Sequence, residues 1–181
     1  FLVTNLKGGQ MIEKAFQNIL GADELISGRS FTDTEHIQKD REILVYMAKQ
    51  VRLGVDADLA ALRAGKPMFV DEPDGRWHRY LIPRPMDLVQ AKSIVMVGFF
   101  GQKRAEVSPD YSTEYSDRLI ERIPTFPEIL SYSTMSLPNG DFSNLVLLSN
   151  EEFKLIWMEG ETHNRAVARS PSYYLSVRIN N

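Results

Sequence analysis

The sequence predicts an α+β protein, a sheet with flanking helices that follows a mainly helical front section. Three observations carry that prediction. Apolar residues recur at helical spacing through the first third of the chain. Residues 68–82 hold two β-rich runs around a turn signal. After residue 92 the runs follow one another in the order β-α-β-β-α-β.

Residues 10–20 (QMIEKAFQNIL) place Met11, Ile12, Ala15, Phe16 and Ile19 on one helical face, with Gly21 as a stop. A longer helix starts at Asp33 or Thr34, either of which can cap the open amides of a first turn. It carries Ile37, Leu44, Val45, Met47, Ala48 and Val51, and Gly54 is expected to end it. Asp56 can cap a short helix over ADLAALRAG, which Gly65 and Pro67 terminate. In residues 68–82 the turn is Glu72-Pro73-Asp74-Gly75, where proline presets one backbone angle and glycine accepts a positive one. That reads as a β-hairpin. Pro83 and Pro85 then interrupt regular structure, so a boundary is expected there, between an extension (1–92) and a domain (93–181).

Residues 94–100 are apolar apart from Gly98, as expected of a central strand. Residues 112–123 are amphipathic, with Tyr115, Leu119 and Ile123 four apart, and Pro124 closes the helix. Strands are expected over 129–137 and 144–149, with Pro138-Asn139-Gly140-Asp141 turning between them. Ser149 or Asn150 caps a helix running to about Arg169, where Pro171 breaks it. The last strand alternates Leu175, Val177 and Ile179 with Ser176 and Arg178. With short connections and right-handed crossovers, this order is the split-βαβ, or ferredoxin-like, unit: a four-stranded antiparallel sheet with both helices on one face. The other face must meet the extension, a ligand or another copy of the chain.

Composition bounds the function. The chain has 181 residues, a net charge of −3 and no cysteine, which excludes disulfides, thiolate metal sites and cysteine nucleophiles. Without a basic block, nucleic acid is not an expected partner. The apolar run of residues 94–100 is far short of the roughly 20 residues that span a bilayer, so a cytoplasmic domain is expected. The three histidines stand 42 and 85 residues apart, outside HxH or HExxH spacing, so no metal is expected.

Within the last helix, Phe153-x3-Trp157-x5-His163-x2-Ala166 resembles the terminal helix of the dimeric α+β barrel superfamily, in its antibiotic-biosynthesis-monooxygenase-like branch. The resemblance covers residues 93–180. It implies a homodimer whose sheets pair into a barrel around a small hydrophobic ligand. It also implies an activity of the cofactor-independent oxygenase or isomerase kind on an aromatic or polyketide-like molecule. The alternative is a non-catalytic module that holds haem or another hydrophobic ligand, or serves assembly alone. Haem-degrading members carry an asparagine early on the first strand; residues 93–100 have none, so haem is not the favoured ligand and no cofactor is expected.

His163 is the candidate acid/base, since it falls about 80° around the helix axis from Phe153, on the margin of the apolar face. The plainer reading has it at the solvent margin beside Glu159. Trp157, Phe153, Phe99 and Phe100 are the candidate walls of a substrate pocket, and aromatic side chains equally build ordinary cores. Gly98 and Gly101, bracketing Phe99 and Phe100, could admit a ligand or simply end the strand. On 76–80, alternation puts Arg76, His78 and Tyr80 on one face and Trp77 and Arg79 on the other, an anion-binding strip or an exposed hairpin strand. His36, just after a helix cap, is expected to face solvent.

Overall fold

Helix α1 (Thr34–Ala57) is a 24-residue helix whose Leu44, Met47, Ala48, Val51 and Val55 fall on one side and are all buried. The structure, a computed structural model, describes residues 34–57, 65–108, 110–138, 140–153 and 160–180. The helices expected over 10–20 and ADLAALRAG lie outside them, as does the 154–159 part of the last expected helix. Following α1 come β1 (Met68–Phe69), β2 (His78–Leu81), α2 (Pro85–Gln90), β3 (Val95–Lys103), α3 (Asp110–Arg122), β4 (Ile129–Ser136), β5 (Phe142–Leu148), α4 (Glu161–Tyr173) and β6 (Tyr174–Asn180).

The six strands form one antiparallel sheet in the order β1-β2-β4-β5-β3-β6. Its last four, with α3 and α4 as crossovers, have the ferredoxin-like order, and the molecule is α+β as the sequence predicts. The expected hairpin is present as β1 and β2, with Met68 opposite Tyr80 and Gly75 at φ +71° in the turn. It joins the edge of the same sheet, so residues 34–92 and 93–180 share one sheet and its cores.

One core lies on each face. On the first, α1 packs across the sheet onto Phe100, Leu130, Met135, Leu145 and Leu147. On the second, Ile120 of α3, Ile123 and Phe153 cover Val95, Tyr132 and Leu148. Each fully buried side chain of this size contributes roughly 1.5–3 kcal/mol, so the α1 face is a major source of stability. The face that the ferredoxin-like unit's own helices leave open is thus met by the extension.

Two glycines set how closely α1 lies on the sheet. A Cβ on Gly98 of β3 would run into the Leu44 side chain, and one on Gly54 would overlap the Tyr80 hydroxyl. Gly54 is therefore not the helix stop that the sequence suggested. It sits inside α1 because the Tyr80 ring packs against the helix backbone there. Gly101 plays the same part for the Tyr174 ring on the opposite face. What approaches these strand glycines is the chain's own side chains.

Three further expectations change in detail. Strand β2 is not an exposed hairpin strand: it lies between β1 and β4 and all four of its residues are buried. The last expected helix is not continuous: Gly160, in extended backbone (φ −63°, ψ 135°), precedes α4, so His163 does not share a helix with Phe153. Pro171 stands in the last turn of α4 rather than beyond it, the Tyr174 N–H donating to the Ser170 carbonyl. In β6 the register on β3 shifts at Gln102/Lys103, so Leu175 is bulged, and the apolar side of the strand is the exposed one. Leu175, Val177 and Ile179 are 59%, 44% and 60% exposed. Arg178 instead turns to α1, where its guanidinium makes two 2.7 Å hydrogen bonds to Asp40, itself buried.

Candidate functional site

The described residues bring titratable groups together mainly where the hairpin meets α1. The tight turn closes with the Gly75 N–H donating to the Glu72 carbonyl at 2.9 Å, and Asp74 accepts from the Arg76 amide at 3.2 Å. This reversal folds Glu72 back over His78, six residues on. His78 lies on the inward, α1-facing side of β2. Its Nδ1 is 2.6 Å from Glu72 Oε1, and its Nε2 is 3.1 Å from Ser133 Oγ on β4. Tyr46 of α1 donates its hydroxyl to the second Glu72 oxygen at 2.7 Å. Glu72, His78 and Ser133 are 5%, 1% and 0% exposed.

Burial pushes the His78 pKa below the usual histidine value, against the opposing pull of the Glu72 carboxylate. The neutral imidazole that results donates from Nδ1 to Glu72 and leaves Nε2 to accept. Ser133 can donate there or to the Arg79 carbonyl 3.3 Å away. Burial, together with the hydrogen bond and negative charge of Glu72, raises the Tyr46 pKa. The connectivity is that of a serine–histidine–carboxylate relay. The placement is not, because a nucleophile needs an exposed hydroxyl beside a site for the developing oxyanion. Ser133 lies inside the sheet between β2 and β5. The network instead ties turn, helix and sheet together through satisfied polar groups.

On the opposite face Arg79 is also buried. It donates to Ser116 Oγ at 2.8 Å, pairs with Asp117 at 2.5 Å, and lies 4.5 Å from the centre of the Trp77 ring. Its Nε and the hydroxyl of Thr134, its cross-strand neighbour, are buried without a hydrogen-bond partner. Tyr132, buried nearby, has its pKa raised by that burial despite the Arg79 charge. An open cleft of about 400 Å³ adjoins, lined by Arg79, Asp117, Ile120, Glu121, Gly65, Pro67 and Pro124. Asp117 neutralises the guanidinium, so the cleft has no uncompensated positive charge to draw an anion.

The aromatic residues singled out from the sequence do not converge. Phe99 and Phe100 are successive residues of β3 and take opposite faces. Phe100 is buried under α1, with the Arg178 guanidinium 5.5 Å from its ring, whereas Phe99 meets Tyr174 edge-on at 5.5 Å. Phe153 is buried in the α3-side core, 5.8 Å from the Phe126 ring, and its amide donates to Asn150, one of the two caps expected from the sequence. Trp157 lies outside the described residues, and so does the side chain of His163, a residue of α4. His36 is exposed, as expected.

The Glu72–Ser133 part of the relay was not visible in the sequence. One signal was available: Ser131 and Ser133 alternate with Tyr132 and Thr134, a pattern that leaves small polar positions on one face of the strand. Among the described residues no group of three histidines or carboxylates could hold a metal ion, and no helix is long and apolar enough to cross a membrane.

No protein-family model matches this chain, and no curated protein does. Among solved structures it is similar to a dimeric ferredoxin-like protein of unknown function from Thermobifida fusca YX. The two are 17% identical with a TM-score of 0.42, over 48% of this chain and 87% of that one.

Proposed function

We propose that this protein is a non-catalytic assembly module that works as a homodimer. The observation that carries this reading is α1 on the sheet. The face that would line a ligand chamber in a barrel is packed by Leu44, Met47, Ala48 and Val51, with Phe100 beneath them. The histidine-centred set of side chains, Glu72–His78–Ser133, is closed inside that core. Among the described residues the apolar side chains left for an outside partner include the exposed row on β6 and Leu53, Phe69, Met86 and Val89.

The experiment is a light-scattering or sedimentation measurement of the full chain over the micromolar range, alongside turnover assays on small aromatic substrates. A dimer without turnover is expected. Turnover lost in His163→Ala, with fold and mass intact, would replace this reading with an enzyme. A monomer throughout would remove the dimer.

A further inference from the structure

On the α3 side of the sheet one row of side chains crosses five strands. The register places Arg79 of β2 opposite Thr134 of β4, and Thr134 opposite Asn144 of β5. Asn144 in turn stands opposite Phe99 of β3, and Phe99 opposite Ile179 of β6. Directly opposed residues share a face. Arg79 fixes which face it is, because its guanidinium reaches Ser116 and Asp117 of α3. The row opens toward water along its length. Arg79 and Thr134 are 6% and 0% exposed, Asn144 and Phe99 are half-buried, and Ile179 is 60% exposed.

The first three members each hold a buried polar atom without a hydrogen-bond partner: Arg79 Nε, Thr134 Oγ1 and Asn144 Oδ1. Five side-chain atoms of the described residues are in this state, and three of them stand side by side here. Buried polar groups are nearly always paired, and an unpaired one loses its hydration for nothing in return. The three are a donor, a hydroxyl that both donates and accepts, and an acceptor. Asp117 already balances the Arg79 charge, so their complement is neutral. Beyond Asn144 the surroundings turn apolar: Phe99 and Ile179 continue the row, with half-buried Val97 and Val146 beside it.

We propose that this row binds a small amphiphile, with a neutral head of the amide kind at Asn144 and an apolar body over Phe99, Val97 and Val146 toward Ile179. Asn144, half-buried, is the polar member an outside molecule reaches first, and turning its side chain opens the way to Thr134 and Arg79. The head carbonyl then accepts from Thr134 and Arg79, and its N–H donates to Asn144 Oδ1. An apolar partner surface would cover the open end and leave the three polar atoms unmatched. A bound water would match polar atoms and leave the apolar end bare. A molecule with both parts answers both, as ligand sites pair an apolar wall with a few placed polar groups. This site goes beyond the assembly reading and does not depend on it.

Titration calorimetry of the full chain with octanamide, octanoate and octylamine reads the choice of head group. Saturable binding of octanamide is expected, at least about tenfold tighter than either charged analogue. Asn144→Leu and Thr134→Val remove the unmatched atoms with little change of shape. Each should weaken octanamide at least about tenfold, yet leave the urea midpoint of the free protein equal or higher. No saturable binding, or a charged analogue binding as tightly as the amide, would overturn the site. Affinity for octanamide unchanged in both variants would do the same. So would a lowered urea midpoint in both, since the polar atoms would then be matched within the chain itself.

Discussion

The contact between Asp40 and Arg178 holds α1 to the C-terminal strand, and its two ends are unequally buried. The Asp40 side chain is 3% exposed and that of Arg178 is 24% exposed. Asn180 adds a hydrogen bond to Asp40 at 3.3 Å. Breaking a fully buried pair by removing one partner costs about 3–5 kcal/mol, because the remaining charge stays desolvated. Arg178→Met leaves the more deeply buried charge, so it should cost about 3–4 kcal/mol. Asp40→Asn leaves a guanidinium that already reaches water, so about 2 kcal/mol is expected. In a chain of 181 residues the larger cost corresponds to a melting temperature lower by roughly 6–15 °C. Asp40→Leu with Arg178→Met removes both charges and should cost less than Arg178→Met alone, since a buried pair can be replaced by apolar groups with little loss. Urea denaturation at one fixed protomer concentration measures the cycle, because a dimer's stability depends on concentration. Single substitutions that each cost under about 0.5 kcal/mol, or costs that simply add, would refute the argument that this pair anchors the helix.

The close approach of α1 predicts that Gly98→Ala, which pushes a methyl group into Leu44, costs about 1–3 kcal/mol by urea denaturation, the usual range for overpacking. Gly54→Ala should behave alike and be partly rescued by Tyr80→Phe, since the Tyr80 hydroxyl is the first atom the new methyl group meets. The depressed pKa of His78 predicts a pH dependence with a definite sign. Below about pH 6.5 the unfolded chain takes up a proton that the folded chain refuses. Stability should therefore fall as pH drops through that value and level off below the folded pKa, with a slope of at most about 1.4 kcal/mol per pH unit from this residue. Melting curves between pH 8 and pH 5 should lose this component in His78→Gln.

Much of the fold was legible because it rests on local periodicity. The amphipathic spacing of α1, the Pro-Asp-Gly turn and the run of residues 94–100 each state their structure within a short window. The errors have a common cause: they concern what one element meets in another. Gly54 reads as a helix stop until Tyr80, 26 residues away, is seen to need the space. The strand 78–81 reads as an exposed hairpin because nothing local reveals that β4 adds to its far side. Phe99 and Phe100 look like one pocket wall by proximity, although strand geometry separates neighbours to opposite faces. His78 was visible as a titratable residue, but its partners lie across a turn and on a strand 55 residues away, a separation that no local pattern encodes.

The outward apolar row of β6 follows from the anchoring of α1. Slipping a strand by one residue exchanges its two faces, and the buried face normally fixes the register. By apolar content alone, Leu175, Val177 and Ile179 would turn toward α1 and Phe100, and Arg178 would turn out to water. A buried carboxylate on α1 forbids this, because Asp40 beneath an apolar row would lose its cationic partner. Asp40 therefore selects the register that leaves the apolar row exposed. Asp40→Leu should remove the selection. The expected outcome is greater exposure of Arg178 to a guanidinium-modifying reagent such as phenylglyoxal. If Arg178 stays as protected as in the parent chain, strand register does not depend on Asp40.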